Sequence, residues 1–255
     1  MARIIRVGLL LFVLLAVAQG AWIARGRTTD WKEPLRVVIY PINGDGSAAA
    51  DRYIQSLGRD AFEPLALFMR AQAGNFGLPL RSPVETYLAP RVAATPPAPP
   101  QGGSRLSVIL WSLQMRFWAW RNDAYSGPKA HVRMFVKYFA PAPNTSLPHS
   151  VGLREGMIGI VNAFASPDMA GGNQVVIAHE LLHTFGASDK YDPVTNQPLY
   201  PDGYAEPNAN PVLPQSRAEI MAGRIPVSQS QAEIPRSLDE TAIGAKTARE
   251  INWSK

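Results

Sequence analysis

Two histidines, His179 and His183, are the side chains in this 255-residue sequence whose type and spacing most directly indicate chemistry. Apolar residues recur around them at helical spacing and can bury one stripe of a helix: Val175, Ala178, Leu182 and Phe185. Residues four apart on a helix project from neighbouring points of one face, which suits two ligands of one tetrahedral zinc ion. Because the chain has no cysteine, any transition-metal site in it must use histidine, aspartate or glutamate.

Three neighbouring residues extend this pattern. Glu180 lies beside the first histidine, where its carboxylate can reach metal-bound water without being a ligand. Gly186 can adopt the left-handed conformation that ends a helix, and the following turn can bring Asp189 back toward the metal as a third ligand. Other residues compete with Asp189 for that place: Asp192, Glu206, Glu219, His131 and His149.

A surface helix with two chance histidines is the alternative interpretation. In a chain of this composition the pattern His-Glu-x-x-His arises by chance in roughly one sequence in four hundred. Requiring Gly186 and Asp189 as well lowers that frequency by a further factor of about three hundred. The chance interpretation is therefore weak.

The segment from His179 to Asp189 resembles the extended zinc motif of the metzincin metallopeptidases, His-Glu-x-x-His-x-x-Gly-x-x-His/Asp. The form with aspartate as third ligand is that of the snapalysin-like proteases, and Asp189-Lys190-Tyr191 is similar to the Asp-x-Tyr of that group. Met221, within Glu219 to Gly223, resembles the methionine of the turn that lies beneath the metal in this family.

This resemblance implies a zinc-dependent endopeptidase that hydrolyses internal peptide bonds of a protein or peptide substrate. Its zinc ligands would be His179, His183 and Asp189. Zinc would activate a water and polarise the scissile carbonyl, while Glu180 takes the proton and delivers it to the leaving amine. Tyr191 would donate to the developing oxyanion, although an aromatic residue that merely packs after the ligand fits the sequence equally well.

The remaining pattern predicts an α/β, metzincin-like fold. We expect a mixed, mostly parallel sheet, a backing helix, an active-site helix, an irregular C-terminal lobe and a C-terminal helix. Strands are predicted at 35–42, 83–88, 131–140 and 157–165, and helices at 48–72 with a break near Gly58, at 106–121 and at 239–252. The aromatic residues of 106–121 are expected in the core. A Pro- and Gly-rich loop at 95–103 is interpreted as an insertion within one domain, 30–255.

Residues 1–29 are predicted to be a targeting segment. Arg3 and Arg6 precede an apolar run that begins at Val7, and Ala16-Val17-Ala18 is a small-residue cleavage site. An uncleaved membrane anchor over residues 7–24 is the competing interpretation, since that stretch has about the minimum length for spanning a bilayer. Both interpretations predict an exported domain that is secreted, periplasmic or anchored in the cytoplasmic membrane.

Composition restricts the class of function. Hydrophobic residues make up 46% and charged residues 18%, so the chain can bury a sizeable core. The formal charge is +5, but no dense run of lysine and arginine is present, which gives little support to nucleic-acid binding. Two rival functions share the zinc residues: an exported zinc-binding module for envelope assembly, and a zinc amidase that acts on cell-wall peptides. Glu180 argues against the first, since a purely structural site needs ligands but no base.

Overall fold

The computed structural model describes residues 30–100, 104–142 and 146–254, together with the isolated Gly8. The targeting segment within residues 1–29 lies outside the described residues apart from Gly8, and so do residues 101–103 of the Pro-rich loop. Within the described ranges, no helix combines the length and the apolar character needed to cross a bilayer.

A five-stranded sheet forms the centre of the domain, with strand order β2-β1-β3-β5-β4. Its strands are β1 Leu35–Asn43, β2 Val84–Leu88, β3 Val132–Phe139, β4 Val151–Leu153 and β5 Ile158–Phe164. The first four in spatial order pair in parallel, and β4 pairs antiparallel with β5 at one edge. The mostly parallel α/β sheet and its four predicted strands are confirmed, whereas β4 is too short to show a sequence pattern.

The central strands are buried on both faces, as is typical of parallel strands between helices. Along β3, alternate residues point to opposite faces. Val132, Met134, Val136 and Tyr138 lie in the larger core on one face, as expected, and Phe135 lies in a smaller core on the other.

Four helices cover the two faces: α1 Ala48–Ser56, α2 Glu63–Asn75, α3 Arg105–Arg121 and α4 Ala170–Phe185. The separation of α1 from α2 confirms the predicted break near Gly58. Helices α1, α2 and α4 contribute to the larger core, while α3 packs Trp111 and Met115 against the smaller one. Phe117 and Trp120 of α3 are exposed, so the expectation that its aromatic residues belong to the core is only partly right.

The first residues after α3 are joined to the sheet by an ion pair. Asp123 accepts hydrogen bonds from the Tyr40 hydroxyl at 2.5 Å and from Arg133 Nε at 2.8 Å. Burial raises the pKa of the Asp123 carboxyl, but these hydrogen bonds and the Arg133 charge outweigh burial and hold the pKa below its ordinary value.

An irregular lobe follows α4, as expected. Its short strands are β6 Ala218–Glu219, β7 Ile225–Pro226, β8 Ala232–Glu233 and β9 Thr241–Ala242, and the described chain closes with α5 Ala245–Glu250. The predicted helix over 239–252 is wrong in its first half. There β9 pairs with β6, and the Gly244 N–H bonds to the Glu219 carboxylate, so tertiary contacts delay the start of the helix.

Candidate metal centre

Helix α4 delivers His179, Glu180 and His183 and then ends sharply. Gly186 has φ 107°, the left-handed region in which glycine carries little penalty. The N–H groups of Gly186 and Ala187 donate to the Leu182 carbonyl at 3.1 and 3.0 Å, which satisfies the last turn of the helix. The chain can therefore reverse within three residues and bring Asp189 back beside the histidines.

The three side chains converge on one point. His179 Nε2 lies 3.0 Å from His183 Nε2. Oδ1 of Asp189 lies 3.1 Å from each of these nitrogens. Ligands of a tetrahedral zinc bound at 2.0–2.1 Å are about 3.3 Å apart, so this triangle is close to the size that zinc requires.

Each histidine ring has a hydrogen bond at Nδ1, on the side away from the triangle, and this bond determines which ring nitrogen carries the proton. His179 Nδ1 lies 2.9 Å from the Ile220 carbonyl oxygen, and His183 Nδ1 lies 2.8 Å from that of Ala187. A carbonyl only accepts, so each Nδ1 carries the proton and each Nε2 directs a lone pair inward. Two lone pairs and a carboxylate oxygen in mutual contact require a cation among them, either a proton or a metal ion.

The pKa values of His183 and Asp189 are shifted by the contacts among these same side chains. Burial lowers the pKa of His183, but the hydrogen bond to Asp189 and the charge of Glu180 outweigh burial and raise it. Burial raises the pKa of Asp189, but its two histidine partners outweigh burial and hold the pKa well below its usual range. Asp189 is therefore an anion at neutral pH, as a metal ligand must be.

Glu180 lies beside the triangle without joining it. Its side chain is buried, and Oε2 has no hydrogen-bond partner among the described residues. Burial raises the pKa of this carboxyl, although the neighbouring His179 and His183 act in the opposite direction. A buried carboxylate with an unused oxygen beside three ligand atoms has the environment expected of a general base.

The segment that carries Asp189 is held by the C-terminal helix. Oε2 of Glu250 accepts the Ser188 N–H at 2.9 Å and Lys190 Nζ at 2.8 Å, and Oε1 accepts the Ser188 hydroxyl at 2.7 Å. The Lys190 side chain is only 3% exposed, and the backbone N–H of Lys190 donates to the Met221 carbonyl at 3.0 Å. Both neighbours of Asp189 are thereby fixed, which leaves Asp189 itself little freedom.

The turn after β6 supports the opposite side of the site. Glu219 is fully buried, and its Oε2 accepts the N–H groups of Met221 and Ala222 at 2.7 and 3.1 Å. Its Oε1 accepts the Thr247 hydroxyl at 2.7 Å. Glu219 therefore shapes the turn whose Ile220 carbonyl orients His179. Both carboxylate oxygens of Glu219 are used in these hydrogen bonds, and Glu219 lies outside the triangle formed by His179, His183 and Asp189. Met221 is fully buried in this turn.

Tyr191 lies near the site but forms no described hydrogen bond to it. Burial raises the pKa of its hydroxyl, and the charges of Asp189 and Glu180 raise it further. The phenol is thus close enough to feel both carboxylates and remains protonated at neutral pH.

The competing ligands lie elsewhere. Asp192 accepts hydrogen bonds from Val194 and Thr195 within its own turn. Glu206 bonds to the Ser216 hydroxyl, the His131 ring lies against Arg36, and His149 is exposed. Within the described residues, the group that could hold a metal ion is His179, His183 and Asp189.

Sequence comparison adds no assignment, because no protein-family model and no curated protein matches the chain. The function of the site must therefore be inferred from its own geometry.

Proposed function

We propose that the chain is a zinc-dependent endopeptidase of the metzincin type, with zinc held by His179, His183 and Asp189. One observation carries the proposal. The Nε2 atoms of His179 and His183 and Oδ1 of Asp189 lie within 3.1 Å of one another, next to the buried carboxyl of Glu180, whose Oε2 has no hydrogen-bond partner among the described residues. Three protein ligands with a base beside them are typical of catalytic zinc, whereas structural zinc is usually closed by four.

In this proposal the residues divide the work of hydrolysis. Zinc, when bound, supplies Lewis acidity that activates a water and polarises the scissile carbonyl. Glu180 takes the proton of the attacking water and gives it to the leaving amine. Tyr191, which is close to the carboxylates and protonated, donates a hydrogen bond to the developing oxyanion.

Edge strand β4 supplies a surface for an extended peptide. Among the described strands it pairs only with β5, and the backbone of its central residue, Gly152, hydrogen-bonds to the Glu180 carboxyl. A Cβ placed at Gly152 would lie 2.5 Å from the Glu180 carbonyl oxygen and 2.5 Å from His183 Cβ. Strand β4 therefore lies directly on the turn that carries the base. A substrate that adds a strand here would pass beside Glu180 and the metal.

This edge favours peptide cleavage over a purely structural role in the envelope. An amidase that acts on cell-wall peptides would use the same residues, and it differs in the substrate it accepts. A peptide library and purified cell-wall peptides, assayed side by side, would distinguish these two zinc hydrolases. Export of residues 30–255 is part of the proposal and rests on the segment 1–29.

The deciding experiment replaces the base alone. Glu180→Gln in the full chain should keep a full complement of zinc, measured by elemental analysis, because Glu180 is not a ligand. Cleavage of casein or library peptides should fall about a hundred- to ten-thousand-fold, the usual contribution of proton transfer. Glu33→Gln, at an exposed position, is the matched control and should cleave normally. Near-normal activity of zinc-loaded Glu180→Gln protein would refute the mechanism.

A further inference from the structure

Arg154, in the turn that joins β4 to β5, places a guanidinium beside the end of helix α4. Within β4, a Cβ built on Gly152 would meet the Glu180 carbonyl oxygen and His183 Cβ at 2.5 Å each. Arg154 comes two residues later, and a Cβ built on Gly186 would lie 2.5 Å from its Cζ and 2.8 Å from its Nε and Nη1. Residues three apart lie on one side of a helix, so the guanidinium lies about one helical turn beyond His183, beside the candidate metal centre.

This guanidinium has no anionic partner among the described residues. Its Nε is buried without a hydrogen-bond acceptor, and none of the ion pairs formed by the described residues includes Arg154. A buried donor that lacks an acceptor costs desolvation free energy and is rare in native structures. Arg154 as a whole is only partly buried, so a group that binds from solvent can reach the residue and supply the missing acceptor.

The C-terminal end of α4 does not supply that acceptor. The N–H groups of Gly186 and Ala187 donate to the Leu182 carbonyl, and the Gly186 N–H also lies 3.0 Å from the His183 carbonyl oxygen. The negative end of the helix dipole favours a nearby cation, but only modestly, and it leaves the Nε–H without a hydrogen bond. Stabilisation of the helix end therefore does not account for the buried donor of Arg154.

We propose that Arg154 selects peptide substrates that carry an aspartate or a glutamate near the cleaved bond, by pairing with that side-chain carboxylate. The inference rests on the proposed peptidase function and adds a specificity-determining residue to it. A guanidinium and a carboxylate form two parallel, charge-assisted hydrogen bonds, which are stronger and more directional than hydrogen bonds between neutral groups.

The position of the selected residue follows from the spacing along β4. Extended chains advance by about 3.3 Å per residue, and Arg154 lies two residues beyond the glycine that contacts Glu180. A peptide that lies along β4 therefore places the acidic residue two or three positions from the bond cleaved beside Glu180. That residue is on the N-terminal side of the bond if the peptide runs antiparallel to β4, and on the C-terminal side if it runs parallel.

A matched pair of peptides measures this selection. A digest of a peptide library by the zinc-loaded full chain, read by mass spectrometry, gives the acidic position that is enriched around the cleaved bonds. Two peptides, acetylated and amidated, then differ only in glutamate or glutamine at that position. For each, kcat/KM is measured with the parent, Arg154→Gln and Arg154→Glu. The control is Arg59→Gln, which removes an exposed arginine between α1 and α2. Fluorescence anisotropy of labelled versions on the metal-free chain measures the same preference as binding, without turnover.

We expect the parent to cleave and to bind the glutamate peptide about ten- to hundredfold better than the glutamine peptide, the range of one charged hydrogen bond. Arg154→Gln should abolish this ratio and keep the parent's kcat/KM for the glutamine peptide, which also shows that the variant is folded. Arg154→Glu should reverse the preference in favour of a lysine peptide. Arg59→Gln should behave as the parent does.

Three outcomes would overturn the inference and leave the proposed function standing. They are a library digest with no enriched acidic position, equal cleavage of the two peptides by the parent, and a glutamate preference that survives in Arg154→Gln. Loss of cleavage of both peptides by folded, zinc-loaded Arg154→Gln would also overturn it, since Arg154 would then serve cleavage itself and not selection. A zinc-loaded parent that cleaves no peptide of the library would refute the proposed function, and this inference with it.

Discussion

Glu250 provides the sharpest test of how the third ligand is held. It lies on α5, outside the ligand triangle, and binds both neighbours of Asp189. Glu250→Ala removes three hydrogen bonds at once and leaves the Lys190 ammonium with the Ser188 carbonyl as its remaining described acceptor. Glu250→Gln keeps the shape and one acceptor oxygen but removes the charge.

The expected magnitudes follow from burial. Lys190 is 3% exposed and Glu250 19%, so this is a largely buried ion pair. Removing one partner of such a pair costs about 3–5 kcal/mol of folding free energy, and the partial exposure of Glu250 favours the lower end. Loss of a direct hydrogen-bond partner of a metal ligand lowers metal affinity about 10–100-fold, and because Glu250 holds the neighbours of Asp189 and not its carboxylate, we expect a loss near the lower end, about tenfold. We expect Glu250→Ala to show both effects and Glu250→Gln to show a smaller loss of affinity.

Zinc affinity should be measured by competition with a chromophoric chelator at a temperature at which the metal-free variant is still folded. Urea unfolding of the metal-free protein measures the stability loss separately. Glu240→Ala is the control, since it removes an exposed ion pair with Arg236 and should leave zinc affinity unchanged. If Glu250→Ala binds zinc as tightly as the parent, the Asp189 segment holds its own geometry and the reasoning fails.

Three further changes test other contacts. Asp189→Ala should abolish tight zinc binding, whereas Asp192→Ala should leave it intact, because the Asp192 carboxylate only closes its own turn. The same chelator titration measures both affinities. Zinc binding that is lost in Asp192→Ala and kept in Asp189→Ala would exclude Asp189 as the ligand. Gly152→Ala places a methyl group 2.5 Å from the backbone of α4 and should lower kcat/KM for peptide cleavage while zinc is retained. Gly172→Ala is the control, because its Cβ meets open space, and it should leave kcat/KM unchanged. Asp123→Asn should cost about 1–3 kcal/mol in urea unfolding at pH 7. Because the pKa of Asp123 is lowered on folding, its contribution is complete above its unfolded pKa and is lost as pH falls through the lowered pKa, so the gap between parent and variant should narrow below about pH 4. A gap that stays constant on acidification would contradict the role of the charge.

Local patterns in the sequence predict the parts of the fold that depend on near neighbours. The runs 35–42 and 157–165 are apolar because β1 and β5 are covered on both sides, and such runs are visible without a structure. His179 and His183 share a helix face through four-residue spacing, and Gly186 ends that helix through its own backbone freedom. The convergence of His179, His183 and Asp189 could therefore be anticipated from residues 179 to 189.

Contacts between distant parts of the chain carry no such pattern. Lys190 and Glu250 are 60 residues apart, and Trp31 and Ile251 are 220 apart. Glu219 was a reasonable candidate ligand by residue type, but its four backbone and hydroxyl donors become visible only when the lobe is folded. The exposed aromatic residues of α3 show the same limit, since helical periodicity identifies a stripe but not what covers it.

The positions of two further carboxylates, Glu219 and Glu250, explain how a local motif can bring three candidate ligands together. Glu219 shapes the turn whose Ile220 carbonyl fixes the ring of His179, and Glu250 fixes the residues on either side of Asp189. Both carboxylates are tied to α5, Glu219 through Thr247 and Glu250 as a member of that helix. The motif thus supplies the three candidate ligand atoms, and a six-residue helix that contributes none of them holds two of the three in place. Ligands fixed in this way lose little conformational freedom when a cation binds, and the affinity of the site therefore depends on how firmly α5 is docked.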